Sequence, residues 1–273
     1  MSFPLDLRYH ICQQPIELPV FNPVALELLQ LLADPDIEIN NVIDLINKDQ
    51  ALSIQILCLA NSPAYAGRCK SETIKDSVSR LGTKQIINLA MVASQSSLHV
   101  SSLPVVNDML KKLWFHSFAC ATGCKSLAIS SGHRELAEQA YLAGLLHDVG
   151  KLYLLKAMEQ ISLQGKLDFE LNHETLYDVF SDMHIEQGVR IMNYWNVPEL
   201  YISIVSNHHL EHAAMHDPLL SIVRLVNFYS TQFGLNCFPR FVQPVDAAHE
   251  IGMLNVNEAE LEQLETDMLA CNA

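Results

Sequence analysis

Apolar residues recur at every third or fourth position along almost all of this 273-residue chain, and no stretch alternates apolar and polar residues with β-branched types. A helix brings the same face round about every 3.6 residues and a strand every second residue, so the pattern favours helices over any sheet core. The expected fold class is all-α. The clearest case is the run Met109, Leu113, His116, Cys120, Cys124 and Leu127, which steps by three or four along one face.

Local punctuation places the helices. Asn22-Pro23 offers an N-cap with proline at the first helical position, Phe21 can staple onto Leu26, and Asp34-Pro35 stops that helix. Asn40 opens a short helix with Val42, Ile43 and Ile46 on one side. Asp49 caps another, which ends at Asn61-Ser62-Pro63. After the irregular GRCKSE stretch, two helical segments flank Gly82, with Thr83 placed to cap the second. Longer helices are expected at about 107–130, 134–147, 149–160, 182–196, 198–207 and 217–232. The serine-rich SSLHVSSLPVVN reads as a boundary, giving three regions at 1–105, 106–240 and 241–273. In the last, Asn257 and Glu260 form a capping box for an acidic helix whose inner face is Leu261, Leu264 and Met268.

The formal charge is −14, with 31 acidic against 17 basic residues and no basic run, which argues against a nucleic-acid partner held by phosphate contacts. No basic segment leading into an apolar one marks a secretory signal, and no apolar run reaches the ~18 residues of a membrane span. The expected location is cytoplasmic. The seven cysteines, at 12, 58, 69, 120, 124, 237 and 271, include no CxxC pair. Cys120 and Cys124, one turn apart, read as buried thiols in a reducing compartment sooner than as a zinc site.

A single histidine on a helix is more often a surface or hydrogen-bonded core residue than a ligand. Several on the inward faces of different helices need a common explanation, because imidazole is costly to bury alone. His116 lies on the stripe above. His147 and Asp148 end the apolar run carrying Leu142, Leu145 and Leu146, and can approach one ion from neighbouring directions. Imidazole nitrogen with carboxylate oxygen suits a divalent ion such as iron, manganese or zinc. Lys151 follows as a point charge able to meet a phosphate oxygen. His184 shares a face with Gly188, Ile191 and Trp195, and His208 continues Tyr201, Ile204 and Val205 with His209 beside it. His10, His99, His133, His173, His212, His216 and His249 lie in polar stretches or near termini and are read as surface.

The order of these residues resembles the HD superfamily of metal-dependent phosphohydrolases: His116, then His147-Asp148 within LLHDVGK, then a late acidic or amide residue. NSPAYAG, SVSRLGTKQIINLA and DMHIEQGVRIMNYWNVPELYISIVSNHH narrow the resemblance to the HDOD domain, over about residues 15–235. On that resemblance, residues 1–105 are the family's N-terminal helical region and 106–240 its HD-like core. It implies His116, His147 and Asp148 as metal ligands, with His184, His208 and His209 where cyclic-dinucleotide-hydrolysing relatives place histidines for a second metal. It also implies a bacterial signalling role. Two departures stand out. The GYP signature of those relatives is replaced by LEHAAMHDP, and Asn227 in LLSIVRLVNFYS stands where an aspartate ligand belongs. Asp217, directly before Pro218, reads as a helix cap and not as its substitute.

Two functions are expected to compete. One is a regulatory module with a degenerate metal site, binding a signalling protein or a nucleotide-like ligand, with the divalent ion retained or lost. The other is a metal-dependent phosphohydrolase acting on nucleotides or other phosphoesters, with Asp148 and Lys151 in the catalytic roles.

Overall fold

The structure is a computed structural model that describes residues 5–15, 22–32, 34, 37–65, 67, 70–167, 171–210, 217–235 and 247–272. Among them are fourteen α-helices, a few single 3-10 turns and no strand. Phe21, Pro35, Cys69, Cys237, and residues 211–216 of the LEHAAMHDP segment, with His212 and His216, lie outside the described residues.

In chain order the helices are α1 (Leu5–Cys12), α2 (Pro23–Leu31), α3 (Ile39–Asn47), α4 (Gln50–Ala60), α5 (Ile74–Leu81) and α6 (Thr83–Leu98). Then come α7 (Pro104–Ser130), α8 (Ala137–Leu146), α9 (Val149–Leu163), α10 (His173–Tyr194), α11 (Glu199–Asn207), α12 (Pro218–Gln232), α13 (Ala247–Leu254) and α14 (Glu258–Leu269). They form two compact units. One comprises residues 20–98 with 195–198, and the other residues 1–19, 99–194 and 199–273.

In the smaller unit, α2 to α6 bury Leu28, Val42, Ile46, Ile56, Ile86 and Ile87 in one core. Asn22 accepts from the Val24 and Ala25 amides and Asp49 from Leu52, so both expected caps are formed. Thr83 is instead the first helical residue of α6. The preceding α5 closes on Gly82, whose φ of 84° is open to glycine at no steric cost. Helix α3 begins at Ile39, one residue before the expected Asn40.

The larger unit is built round α7, which packs against α8, α9, α12 and α14. The α7–α8 contact is close because Gly144 has no side chain: a Cβ there would lie 2.7 Å from the Cys120 carbonyl oxygen. The acidic α14 has its capping box and docks Leu264 and Met268 over Gly123 of α7. Helix α10 starts at His173 and not near 182. Asn172 accepts from the Thr175 amide, and Leu176, Val179 and Phe180 continue the buried face behind a polar first turn. His99, expected at the surface, is buried with its ring 5.2 Å from Trp114. No described helix is long and apolar enough to cross a membrane.

Candidate metal centre

Two helices and two helix breaks bring the histidines together. His116 lies in the middle of α7. His147 and Asp148 occupy the break between α8 and α9, where the chain leaves helical geometry at Asp148 (φ −104°, ψ 18°) and both neighbours can turn inward. His184 comes from α10, and His208 and His209 from the turn after α11. Gly150 and Gly188 let α9 and α10 touch backbone to backbone, which sets His184 against the Asp148 turn.

Asp148 is the hub. Its Oδ2 lies 3.2 Å from His116 Nε2 and 3.4 Å from His147 Nε2, and the two imidazole nitrogens are 3.2 Å apart. Its Oδ1 lies 3.6 Å from His208 Nε2. His184 and His209 complete the far side, with ligand atoms of Asp148, His184, His208 and His209 all within 4.8 Å of one another. Lys151 is turned into the same pocket, 4% exposed, and donates to Asp148 Oδ2 at 2.6 Å.

The ring tautomers follow from the backbone. Nδ1 of His147, His184 and His208 sits 2.7, 2.5 and 2.8 Å from the carbonyls of Gly144, Phe180 and Val205, one turn earlier in the chain. Each Nδ1–H therefore donates to a carbonyl, and each Nε2 lone pair is left facing the cluster.

Burial dominates the protonation of these groups. It holds His116 down at about 4 and His184 at about 3, against the pull of Asp148 in the other direction, and lowers His208 and His209 as well. For Asp148 burial acts upward but is overcome by Lys151 and the imidazoles, which keep the carboxyl well below its usual range. The pocket thus sets the Asp148 carboxylate among neutral rings of His116, His184, His208 and His209. Below about pH 6.5 the unfolded chain takes up protons that folded His116 and His184 refuse until about 4 and 3. Stability of chelator-treated protein is expected to be full above that pH and to fall by a few kcal/mol towards pH 4.5. Urea midpoints at half-unit pH steps check this, and a midpoint unchanged from pH 7 to 4.5 would contradict it.

The sequence pattern of the HDOD domain matches residues 18–211, more than two thirds of the chain. The chain belongs to the HDOD family. A Treponema pallidum (strain Nichols) protein is 27% identical over 217 residues, 77% of this HDOD chain and 42% of that protein, so the chain spans less than half of that relative's length. The fold matches an HDOD domain protein from Geobacter sulfurreducens with TM-score 0.73 and 24% identity, covering 97% of this chain and 94% of the other. It also matches a candidate metal-dependent phosphohydrolase from Shewanella amazonensis SB2B (TM-score 0.72, 20% identity, 97% and 94%). A candidate signal transduction protein from Marinobacter aquaeolei VT8 is a further match (TM-score 0.64, 21% identity, 97% and 64%).

The residues of this HDOD chain fit a divalent ion. Ligands bound at about 2.1 Å stand about 3.0–3.4 Å apart around a common centre, the spacing of His116 Nε2, His147 Nε2 and Asp148 Oδ2. Asp148 Oδ1 and His208 Nε2 are buried without a hydrogen-bond partner among the described residues, which is the condition an ion would relieve. Asn227 is buried on α12, which packs against α7 and α8, and its amide nitrogen also lacks a hydrogen-bond partner among the described residues. Asp217 accepts from the Leu219 and Leu220 amides as the cap of α12. Cys120 and Cys124 are buried thiols, as their spacing implied, and Cys120 Sγ lies 3.8 Å from His116.

Proposed function

We propose that this protein is an HDOD regulatory module whose metal site is degenerate, acting by binding a signalling protein or a nucleotide-like ligand. The observation that carries this reading is the charge of the pocket. Its one carboxylate is already paired with Lys151 Nζ at 2.6 Å, and Asn227, which by the family resemblance stands in place of the late acidic ligand, is a neutral amide. A divalent ion entering such a dry pocket gains little from it in net charge, and charge is what retains an ion out of water. The likeness of the fold to a candidate signal transduction protein supports the same reading.

His116, His147 and Asp148 are the residues that would hold an ion, with His184, His208 and His209 available on the far side. When bound, the ion would supply a Lewis acid and a more acidic water. The donor spacing favours the second reading, a metal-dependent phosphohydrolase acting on nucleotides or other phosphoesters. In that case Asp148 would help hold the ion and Lys151 would neutralise a phosphate oxygen.

The untagged protein separates the two. Metal content is measured, then phosphomonoester and phosphodiester turnover with added manganese or iron. Little turnover in wild type is expected; turnover abolished by Asp148→Ala would overturn the regulatory reading. Asn227→Asp is expected to raise metal affinity by about tenfold or more, since it returns a buried negative charge to the pocket. Competition against a chelating dye measures it. An unchanged affinity would remove Asn227 from the site.

A further inference from the structure

Lys151 stands in the first turn of α9, three residues after Asp148, and its side chain folds back into the pocket. A lysine normally keeps its charged head in water, yet this one is buried. Its Nζ donates to Asp148 Oδ2 at 2.6 Å. The same oxygen lies 3.2 Å from His116 Nε2 and 3.4 Å from His147 Nε2. The donors spaced to hold an ion and the lysine head therefore converge on one atom. The positive charge of Lys151 reaches the rest of the pocket as well. After burial, it is among the influences that keep protons off His116, His184, His208 and His209. Against burial, it leads those that keep the Asp148 carboxyl low. Asp148 Oδ1 is left buried without a hydrogen-bond partner among the described residues, so the lysine meets only one of the two carboxylate oxygens.

We propose that Lys151 is a built-in competitor for the divalent ion: Asp148 Oδ2 holds either the lysine head or an ion, and an ion that enters displaces the side chain. The inference rests on the metal-binding part of the proposed function. Two positive charges sharing one oxygen in a dry pocket repel strongly, because little water screens them. On exchange the Nζ–H···Oδ2 hydrogen bond breaks and an oxygen–metal bond forms on the same atom. His147, His184 and His208 keep their aim through Nδ1 bonds to backbone carbonyls, so the lysine is the part that moves. The empty pocket hides the lysine head and the filled one presents it, a change of exposed charge that a partner can detect.

The test is Lys151→Met in the untagged full chain, which nearly keeps the side-chain length and removes the charge. Chelator competition is expected to show manganese and zinc bound at least about tenfold more tightly than by wild type. Lys156→Met leaves the affinity unchanged, since that lysine of the same helix donates to the Val100 carbonyl instead. Metal-free Lys151→Met has a lowered urea midpoint, because Asp148 is left dry without its partner, and either ion restores it. Wild type decides the question without any variant. Acetic anhydride labels its Lys151 slowly in the metal-free protein and faster in saturating manganese, as read by mass spectrometry. An affinity unchanged or lowered in Lys151→Met, or a Lys151 labelling rate that is the same with and without manganese, overturns the competition and leaves the degenerate-site reading standing. Turnover abolished by Asp148→Ala overturns that reading and not the competition, which the affinities decide. Absence of manganese and zinc binding in both proteins overturns the competition and the metal site together.

Discussion

Gly150→Ala is expected to destabilise the protein by about 3 kcal/mol or more and to remove His184 from the cluster in whatever remains folded. A Cβ at position 150 would lie 1.8 Å from the His184 carbonyl oxygen and 2.8 Å from the Gly188 amide nitrogen. Both obstacles are backbone, so no rotamer change relieves them and α9 and α10 must part. That separation acts on the site directly, because Asp148 immediately precedes α9 and His184 rides on α10. Urea unfolding gives the first effect and chelator-competition affinity the second. A variant as stable as wild type would show that the two helices are not in backbone contact.

Glu250→Ala is expected to cost about 3–5 kcal/mol, because it leaves a buried guanidinium uncompensated. Arg224 on α12 and Glu250 on α13 are both buried and joined by a 2.6 Å hydrogen bond. The same guanidinium donates to the carbonyls of Asn207 and Leu210, which bracket the His208-His209 turn. The pair thus links the C-terminal region to the backbone carrying two of the cluster histidines. Replacing both partners by apolar residues, Arg224→Met with Glu250→Leu, is expected to recover most of the loss, since no charge is then left dry. Equilibrium unfolding of the three variants measures this. A single substitution costing under about 1 kcal/mol would place the pair in water instead.

The parts of this fold legible in the sequence are those written locally. Asn22, Asp49 and Asn257 cap where their spacing from the following amides demands, and the stripe through His116 and Cys120 is buried as its period requires. The inward positions of His147, His184 and His208 followed from the same arithmetic. Features that depend on another helix were not legible. Nothing near Cys120 in the chain says that His147 will arrive beside it, because the contact is made through Gly144. Arg224 reads as one charge on an apolar face until Glu250 is set against it. The first turn of α10 was obscured by a polar surface that hides the buried Leu176 and Val179. His99 looked exposed because its cover, Trp114, comes from the following helix.

The anchoring of His147, His184 and His208 to carbonyls of their own preceding turns has a consequence for the proposed regulatory role. Rings tethered in this way hold their aim whether or not an ion is present, so filling or emptying the pocket requires little reorganisation. What changes is the electrostatic potential at the centre of a dry, rigid bundle. A partner reading that state would sense a field sooner than a shape.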